Sequence, residues 1–170
     1  MVRAGVIPAV RNNAVEGSSD WFVTTMIPRT NPYESLEAAL LRIAVNPPPT
    51  LLDQLRDGPR GLLRSVRRCL GSDDDRLLLF IDQFEELFGT ADADAFLDAL
   101  AVAVDDPASP IRVIATLRAD FYGRPLAHPM FAPILAAGAV DVLPLAADEL
   151  EQTIVQPARQ VGVEFESGLV

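Results

Sequence analysis

Hydrophobic positions along the chain form short unbroken runs that are separated by longer stretches of mixed polarity. The clearest run is residues 77–81, L-L-L-F-I, which lies between the charged cluster 73–76 and Asp82. A short apolar run of this kind is typical of a strand buried on both faces of a sheet. The runs 21–27, rich in aromatic and β-branched side chains, and 111–117 are predicted to be two further strands.

Helices are predicted from capping residues and from breaks in the chain. Asn31 can cap a helix, Pro32 suits its first position, and the prolines at 47–49 end it near Val45. A helix also begins at Glu85, after the central strand. The other predicted helical segments are residues 1–10, 51–56, 62–70, 94–104, 129–137 and 147–161, the last interrupted near Pro157.

The alternation of strands and helices predicts an α/β fold with a parallel sheet. A last short strand is predicted at residues 140–143, after a helix that Gly138 caps. In open α/β sheets ligands bind beyond the carboxyl ends of the strands. The residues that directly follow each strand are therefore the candidates for ligand binding and catalysis.

The composition is that of a globular domain with a substantial core. The chain has 170 residues, of which 49% are hydrophobic and 22% charged. A net charge of −10 disfavours sequence-independent nucleic-acid binding. The single Cys69, the absence of a signal peptide and the lack of a long apolar stretch favour a cytoplasmic protein without a membrane segment.

Three acidic residues follow the central strand: Asp82, Glu85 and Glu86. One interpretation is structural, with Asp82 capping the next helix and Glu85 completing a capping box. The other is a nucleotide site, in which Asp82 holds Mg²⁺ and a following glutamate orients or deprotonates the attacking water. The spacing alone does not choose between them.

Arg118 ends the next strand and favours the nucleotide interpretation. A guanidinium beside the strand that ends in Asp82 can bind a γ-phosphate through its planar fork. The alternative is a local ion pair with Asp120. The arginines of residues 60–68 fall on one helix face, which we interpret as solvated; phosphate contact is the alternative.

The phosphate-binding loop of such a site is absent from the sequence. All 14 basic side chains are Arg, so the motif G-x-x-x-x-G-K-[ST] cannot occur in this chain. The lone His128 has no second His for a metal site, and we expect a structural or surface role for it. Cys69 is expected to be a packing residue.

Four stretches of the chain carry a resemblance to a known family. They are L-L-L-F-I-D-Q-F-E-E-L-F at 77–88, T-L-R-A-D-F-Y-G-R-P-L-A-H-P at 116–129, P-A-R-Q-V-G-V-E-F-E-S-G-L-V at 157–170, and V-R-A-G-V-I-P-A-V at 2–10. Together they resemble the novel STAND NTPase 1 family, signal-transduction ATPase domains often joined to WD40 repeats in bacteria. The resemblance covers nearly the whole chain.

The resemblance implies a three-layer α/β/α core of P-loop NTPase type over residues 1–145, with the start of a helical lid at 146–170. Asp82 would match the Walker B aspartate and hold Mg²⁺. Glu85 and Glu86 would match the catalytic acidic pair, and Arg118 the sensor arginine that contacts ATP. The family also implies a nucleotide-dependent oligomer and protein partners recruited through flanking domains such as WD40 repeats.

The resemblance further implies that residues 2–10 follow the family's Walker A loop. We therefore expect the chain to be a fragment of a STAND-type ATPase that is truncated at its N-terminus and binds little or no ATP by itself. The alternative is a non-catalytic interaction scaffold derived from an NTPase fold. In that case the acidic residues after the central strand are only caps.

Overall fold

The structure, a computed structural model, describes residues 2–166 and contains one parallel sheet. Its strands are β1 (Phe22–Met26), β2 (Leu77–Ile81) and β3 (Ile111–Ala115), in the order β1-β2-β3. The predicted α/β class with a parallel sheet is confirmed at this level. The buried run found in the sequence is the central strand of the three.

The register aligns the carboxyl ends of the three strands. Ile81 of β2 is paired with Met26 of β1 and with Ala115 of β3. Backbone hydrogen bonds extend this pairing by one residue: the Asp82 amide donates to the Met26 carbonyl at 2.9 Å, and the Thr116 amide donates to the Ile81 carbonyl at 3.0 Å. The first residues after β2 and β3 are therefore neighbours.

Helices connect the strands, as parallel pairing requires. The α-helices are α1 (Ile7–Arg11), α2 (Pro32–Leu41), α3 (Leu51–Arg56), α4 (Gly61–Cys69), α5 (Ala93–Asp105), α6 (Gly123–Leu126), α7 (Ala132–Gly138) and α8 (Ala147–Gln160). A π-helical turn covers Val2–Val6, and 3₁₀ helices cover Ser18–Asp20, Phe84–Gly89 and Ala119–Phe121. The Asn31 side chain accepts the Glu34 amide at 3.3 Å, which confirms the predicted cap of α2.

The hydrophobic core surrounds β2, whose five residues are all buried. Because side chains alternate along a strand, the two faces of β2 bury different residues. Leu77, Leu79 and Ile81 pack with α2, α3, α4 and α5 in the main core, which also contains the buried Cys69. Leu78 and Phe80 are buried on the opposite face.

Two predictions for the C-terminal part of the chain are wrong. Residues 140–143 form no strand and are exposed, because no neighbouring strand pairs with them among residues 2–166 and Pro144 beside them lacks an N–H. Helix α8 continues through Pro157 to Gln160, although the proline removes one hydrogen bond of the helix. The chain divides into two compact units between Gly138 and Ala139. Each helix of residues 2–166 is too short or too polar to cross a membrane.

Candidate functional site

The carboxyl ends of β2 and β3 bring two polar side chains together. Asp82 directly follows β2, and Thr116 directly follows β3. The Thr116 hydroxyl donates a hydrogen bond of 2.7 Å to Oδ1 of Asp82. Oγ1 of Thr116 also accepts the backbone N–H of Gln83 at 3.1 Å. One threonine therefore fixes both the carboxylate and the backbone that follows it.

Arg3 is the second partner of the Asp82 carboxylate. Its Nε and Nη2 atoms donate to Oδ2 of Asp82 at 3.2 and 3.0 Å. The guanidinium carbon also lies 5.7 Å from the centroid of the Phe80 ring. The Arg3 side chain is 59% exposed and that of Asp82 is 26% exposed. The two carboxylate oxygens thus bind different groups, one an alcohol and the other a cation.

These contacts stabilise the charged form of Asp82. The hydrogen bond from Thr116, and after it the hydrogen bonds and the charge of Arg3, hold the pKa of Asp82 below its ordinary value, although burial acts in the opposite direction. The carboxylate is therefore ionised at neutral pH. A carboxylate must be deprotonated to bind a divalent cation, so this state suits a metal ligand.

The backbone turns sharply after Asp82. Gln83 has a φ of 53°, in the left-handed region that residues other than glycine rarely occupy. The 3₁₀ helix Phe84–Gly89 begins directly after it and has no side-chain cap. The capping interpretation of Asp82 is therefore wrong, because its oxygens bind Thr116 and Arg3. Unusual backbone conformations of this kind cluster at functional sites.

The two glutamates of the 3₁₀ helix differ in their surroundings. Oε2 of Glu85 is buried and has no hydrogen-bond partner among the residues that the structure describes. Glu86, by contrast, is exposed to solvent. Neither glutamate makes a hydrogen bond or ion pair with Asp82, Thr116 or Arg118 among the described residues, so the structure does not join them to the strand-end contacts.

Arg118 lies two residues after Thr116 at the same end of β3. Its Nε and Nη2 atoms donate to Oδ1 and Oδ2 of Asp120 at 3.1 and 2.8 Å, so the local ion pair is present. The Arg118 side chain is 66% exposed. Exposed pairs of this kind contribute little free energy. The pairing therefore leaves Arg118 available to a stronger anionic ligand.

Asp82 belongs to no cluster of acidic, His or Cys side chains among the described residues. Within residues 2–166, no group of three or more His, Cys, Asp or Glu side chains could hold a metal ion. Mg²⁺ at nucleotide sites keeps several waters and binds one or two carboxylates together with phosphate oxygens. The Asp82 carboxylate and the Thr116 hydroxyl fit a Mg²⁺ ion that arrives with a nucleotide.

The arginines of α4 have local partners, in agreement with the solvated-face interpretation. The pairs are Arg64 with Asp57, Arg67 with Asp106 and Arg68 with Gln54. These contacts hold the guanidinium groups along the surface of α4. They favour a structural role for this face over phosphate contact.

A separate open cleft of about 430 Å³ is lined by residues that include Phe88, Leu97, Arg124 and His128. His128 Nε2 lies 3.5 Å from an oxygen of Asp98, and the imidazole is 11% exposed. His128 therefore has a structural partner, as expected from the sequence. None of the residues that line this cleft lies at the strand ends around Asp82.

Two residues of the site, Thr116 and Arg3, were not identified from the sequence. Thr116 could have been predicted from the sequence, because it is the first residue after β3 and the parallel register places it beside Asp82, the first residue after β2. Arg3 had no such signal, because it is 79 residues away from Asp82 and only the tertiary fold brings the two together.

One comparison with known proteins gives a match. The family described as Novel STAND NTPase 1 matches residues 1–170, the whole chain. No curated protein and no solved structure matches the chain. The family match includes all residues of the strand-end site: Arg3, Asp82, Thr116 and Arg118.

Proposed function

The chain belongs to the Novel STAND NTPase 1 family, and from this premise we propose that it carries the metal-facing half of an ATPase switch site. Residues 1–145 would belong to a three-layer core of P-loop NTPase type, and residues 146–170 would begin a helical lid. ATP with Mg²⁺ would bind at the carboxyl ends of β2 and β3. Slow hydrolysis would reset a switch that controls oligomerisation and the recruitment of protein partners, through WD40 repeats or other flanking domains.

The observation that carries the proposal is the state of the Asp82 carboxylate. It lies at the ligand-binding end of a parallel sheet and is held there by the Thr116 hydroxyl at 2.7 Å. Its lowered pKa keeps it ionised. A structural cap would instead have bonded to the backbone of the next helix, which Asp82 does not do.

The proposed roles combine the positions of Asp82, Thr116 and Arg118 with what the family resemblance implies for the two glutamates. Asp82 would hold the cation, whose charge would neutralise the nucleotide phosphates, and Thr116 would orient the carboxylate. Glu85 or Glu86 would orient the attacking water or accept its proton. Arg118 would exchange Asp120 for the γ-phosphate, which its planar fork can bind through two hydrogen bonds.

The phosphate-binding loop would have to come from outside residues 1–170. The sequence contains no Lys, and a P-loop needs one to reach the β- and γ-phosphates. Asp82 and Arg118 alone would therefore bind Mg²⁺·ATP only weakly. We expect little or no nucleotide binding by the isolated chain at micromolar concentrations.

A second candidate function is a non-catalytic interaction scaffold. Two contacts favour it: Arg3 already occupies Oδ2 of Asp82, and Asp120 already occupies the fork of Arg118. In a scaffold these pairs would be permanent and would serve only to hold the strand ends together. Nucleotide would then have no effect on this edge of the sheet.

A titration of residues 1–170 with Mg²⁺·ATP, followed through the backbone amide signals by NMR, separates the two candidates. The switch predicts millimolar, Mg²⁺-dependent shifts confined to residues 82–83 and 116–118. Asp82→Asn should abolish their Mg²⁺ dependence, since it removes the anionic ligand. The matched control is Asp74→Asn, at an exposed aspartate in the loop before β2, which should leave the shifts unchanged.

Two outcomes would contradict the proposal. If the amide signals at the strand ends stay unchanged at about 10 mM nucleotide, tenfold above the millimolar dissociation constant expected for the switch, the scaffold is favoured. Tight, Mg²⁺-dependent ATP binding by residues 1–170, measured by calorimetry, would show that the chain holds a complete site rather than half of one.

A further inference from the structure

The Asp82 carboxylate has one oxygen that is bound only by a cation. Oδ1 accepts the Thr116 hydroxyl, whereas Oδ2 accepts both Nε and Nη2 of Arg3 at 3.2 and 3.0 Å. The guanidinium of Arg3 thus lies at Oδ2, the carboxylate oxygen that Thr116 does not contact. A divalent cation bound directly to Oδ2 would need the same position.

Arg3 is held weakly enough to leave this position. Its side chain is 59% exposed, and its other contact in the site is the Phe80 ring at 5.7 Å. Ion pairs with this degree of exposure contribute little to stability because water solvates the separated charges almost as well. The Asp82–Thr116 hydrogen bond, in contrast, joins two strand ends and is part-buried.

The backbone that carries Arg3 is itself unusual. Arg3 lies in the π-helical turn Val2–Val6, which continues directly into α1. Single π turns are rare and occur often at functional sites. A change of this turn to α-helical geometry would rotate the Arg3 side chain about the helix axis and so separate it from Asp82.

We propose that Arg3 is a built-in counter-ion that closes the metal position at Asp82 and competes with a divalent cation for Oδ2. The guanidinium keeps the carboxylate neutralised while no cation is present. Binding of the cation displaces Arg3 and frees the turn Val2–Val6. This inference rests on the proposed metal role of Asp82 and adds the regulation of that site.

The test measures binding of Mn²⁺ alone to residues 1–170, through paramagnetic broadening of assigned amide signals. Arg3→Gln removes the charge and keeps a polar side chain. In this variant the amide signals of Asp82 and Gln83 should broaden at roughly two- to fivefold lower Mn²⁺ concentration than in the wild type, the size of effect expected for loss of one exposed ion pair. Arg3→Lys retains the charge and should behave like the wild type.

Two further variants make the outcome decisive. Arg11→Gln removes an exposed arginine from α1 and should leave the Mn²⁺ concentration dependence at Asp82 unchanged. Asp82→Asn should remove the broadening at this position in either background. The amide spectrum of each variant shows directly whether it is folded.

The inference and the proposed function fail in different ways. If Arg3→Gln and the wild type broaden at the same Mn²⁺ concentration while Asp82→Asn does not broaden, Arg3 is no competitor and the metal role of Asp82 stands. If no variant broadens at Asp82 up to about 10 mM Mn²⁺, Asp82 binds no cation in the absence of nucleotide and the competition with Arg3 is excluded, whereas the Mg²⁺·ATP titration tests the metal role of Asp82 separately.

Discussion

Thr116 determines how the Asp82 carboxylate is oriented and charged. Its hydroxyl donates to Oδ1, and the same oxygen accepts the Gln83 amide, so the strained residue after Asp82 is held by the same side chain. Hydrogen bonds to the charged form of a carboxylate lower its pKa. The orientation and the ionised state of Asp82 therefore depend on Thr116, the residue after β3, as much as on Asp82 itself.

Replacing Thr116 by Val should raise the pKa of Asp82, because the largest of the contacts that lower it is lost. It should also cost about 1 kcal/mol of stability at neutral pH, since Asp82 and the Gln83 amide each lose a partner. The carboxyl carbon chemical shift of Asp82, followed by NMR against pH, measures the pKa directly. Thr116→Ser keeps the hydroxyl and should keep the low pKa; an unchanged pKa in Thr116→Val would exclude this role.

The same change has a consequence for acid stability. An aspartate whose pKa is lower in the folded chain stabilises the fold above its unfolded pKa and loses that contribution as the pH falls through the folded pKa. The contribution of Asp82 in the wild type should therefore decline below the ordinary pKa of an aspartate. Thr116→Val, with a pKa nearer that ordinary value, should show a smaller decline from this group.

The acidic end of the site is easier to predict from the sequence than the residues that contact it. Asp82 was recognisable because it directly follows a buried apolar run, and strand ends are where such sheets bind ligands. For Arg118 the sequence leaves two partners, a phosphate or Asp120. The spacing of two residues between Arg118 and Asp120 permits the ion pair but does not require it. Arg3 depended on a contact between distant segments, which no local pattern encodes.

At the level of elements, the sheet follows from two physical signals. The continuous apolar run of β2 predicts burial on both faces, and all five of its residues are buried. Residues 140–143 contain three apolar side chains, are interrupted by Asp141, and form no strand. A strand needs a neighbour for its backbone groups, and composition alone does not supply one.

The junction of α3 and α4 depends on the absence of a side chain at Gly61. A Cβ atom at this position would lie 2.5 Å from the backbone oxygens of both Gln54 and Leu55. Gly61→Ala should therefore force the two helices apart and lower the free energy of unfolding by about 1–3 kcal/mol. Chemical denaturation measures the change.

The control for this substitution is Gly89→Ala, at the end of the 3₁₀ helix, where an added Cβ meets no atom within 4 Å. It should change the free energy of unfolding by less than about 0.5 kcal/mol, as surface substitutions usually do. Equal effects of the two substitutions would show that the close approach at Gly61 does not limit the packing of α3 on α4.

For the whole molecule, the net charge of −10 opposes the binding of a polyanion such as ATP. Binding would then depend on local cations at the carboxyl ends of the strands, and Arg3 and Arg118 are both paired with aspartates there. A divalent cation at Asp82 would reverse the local charge. This is why the Mg²⁺ dependence of binding is the most informative property of the site.

The sheet has an open edge at β3, and the second compact unit has exposed apolar side chains. β3 pairs only with β2 within residues 2–166, and four of its five residues are half-buried or exposed. In the second unit Val140, Val142 and Leu143 are exposed. Open edges and exposed apolar side chains favour association with further protein segments.

The most direct test of the proposed metal-facing half of an ATPase site uses a protein in which a strand and a phosphate-binding loop precede residues 1–170. The measured quantity is its Mg²⁺-dependent rate of ATP hydrolysis. Asp82→Asn should lower the turnover number by about a hundredfold or more, because a catalytic cation supplies several kcal/mol to the transition state. Asp74→Asn should hydrolyse ATP at the wild-type rate. Wild-type turnover in Asp82→Asn would contradict the assignment of Asp82 as the metal ligand, and with it the account of this chain as half of an ATPase site.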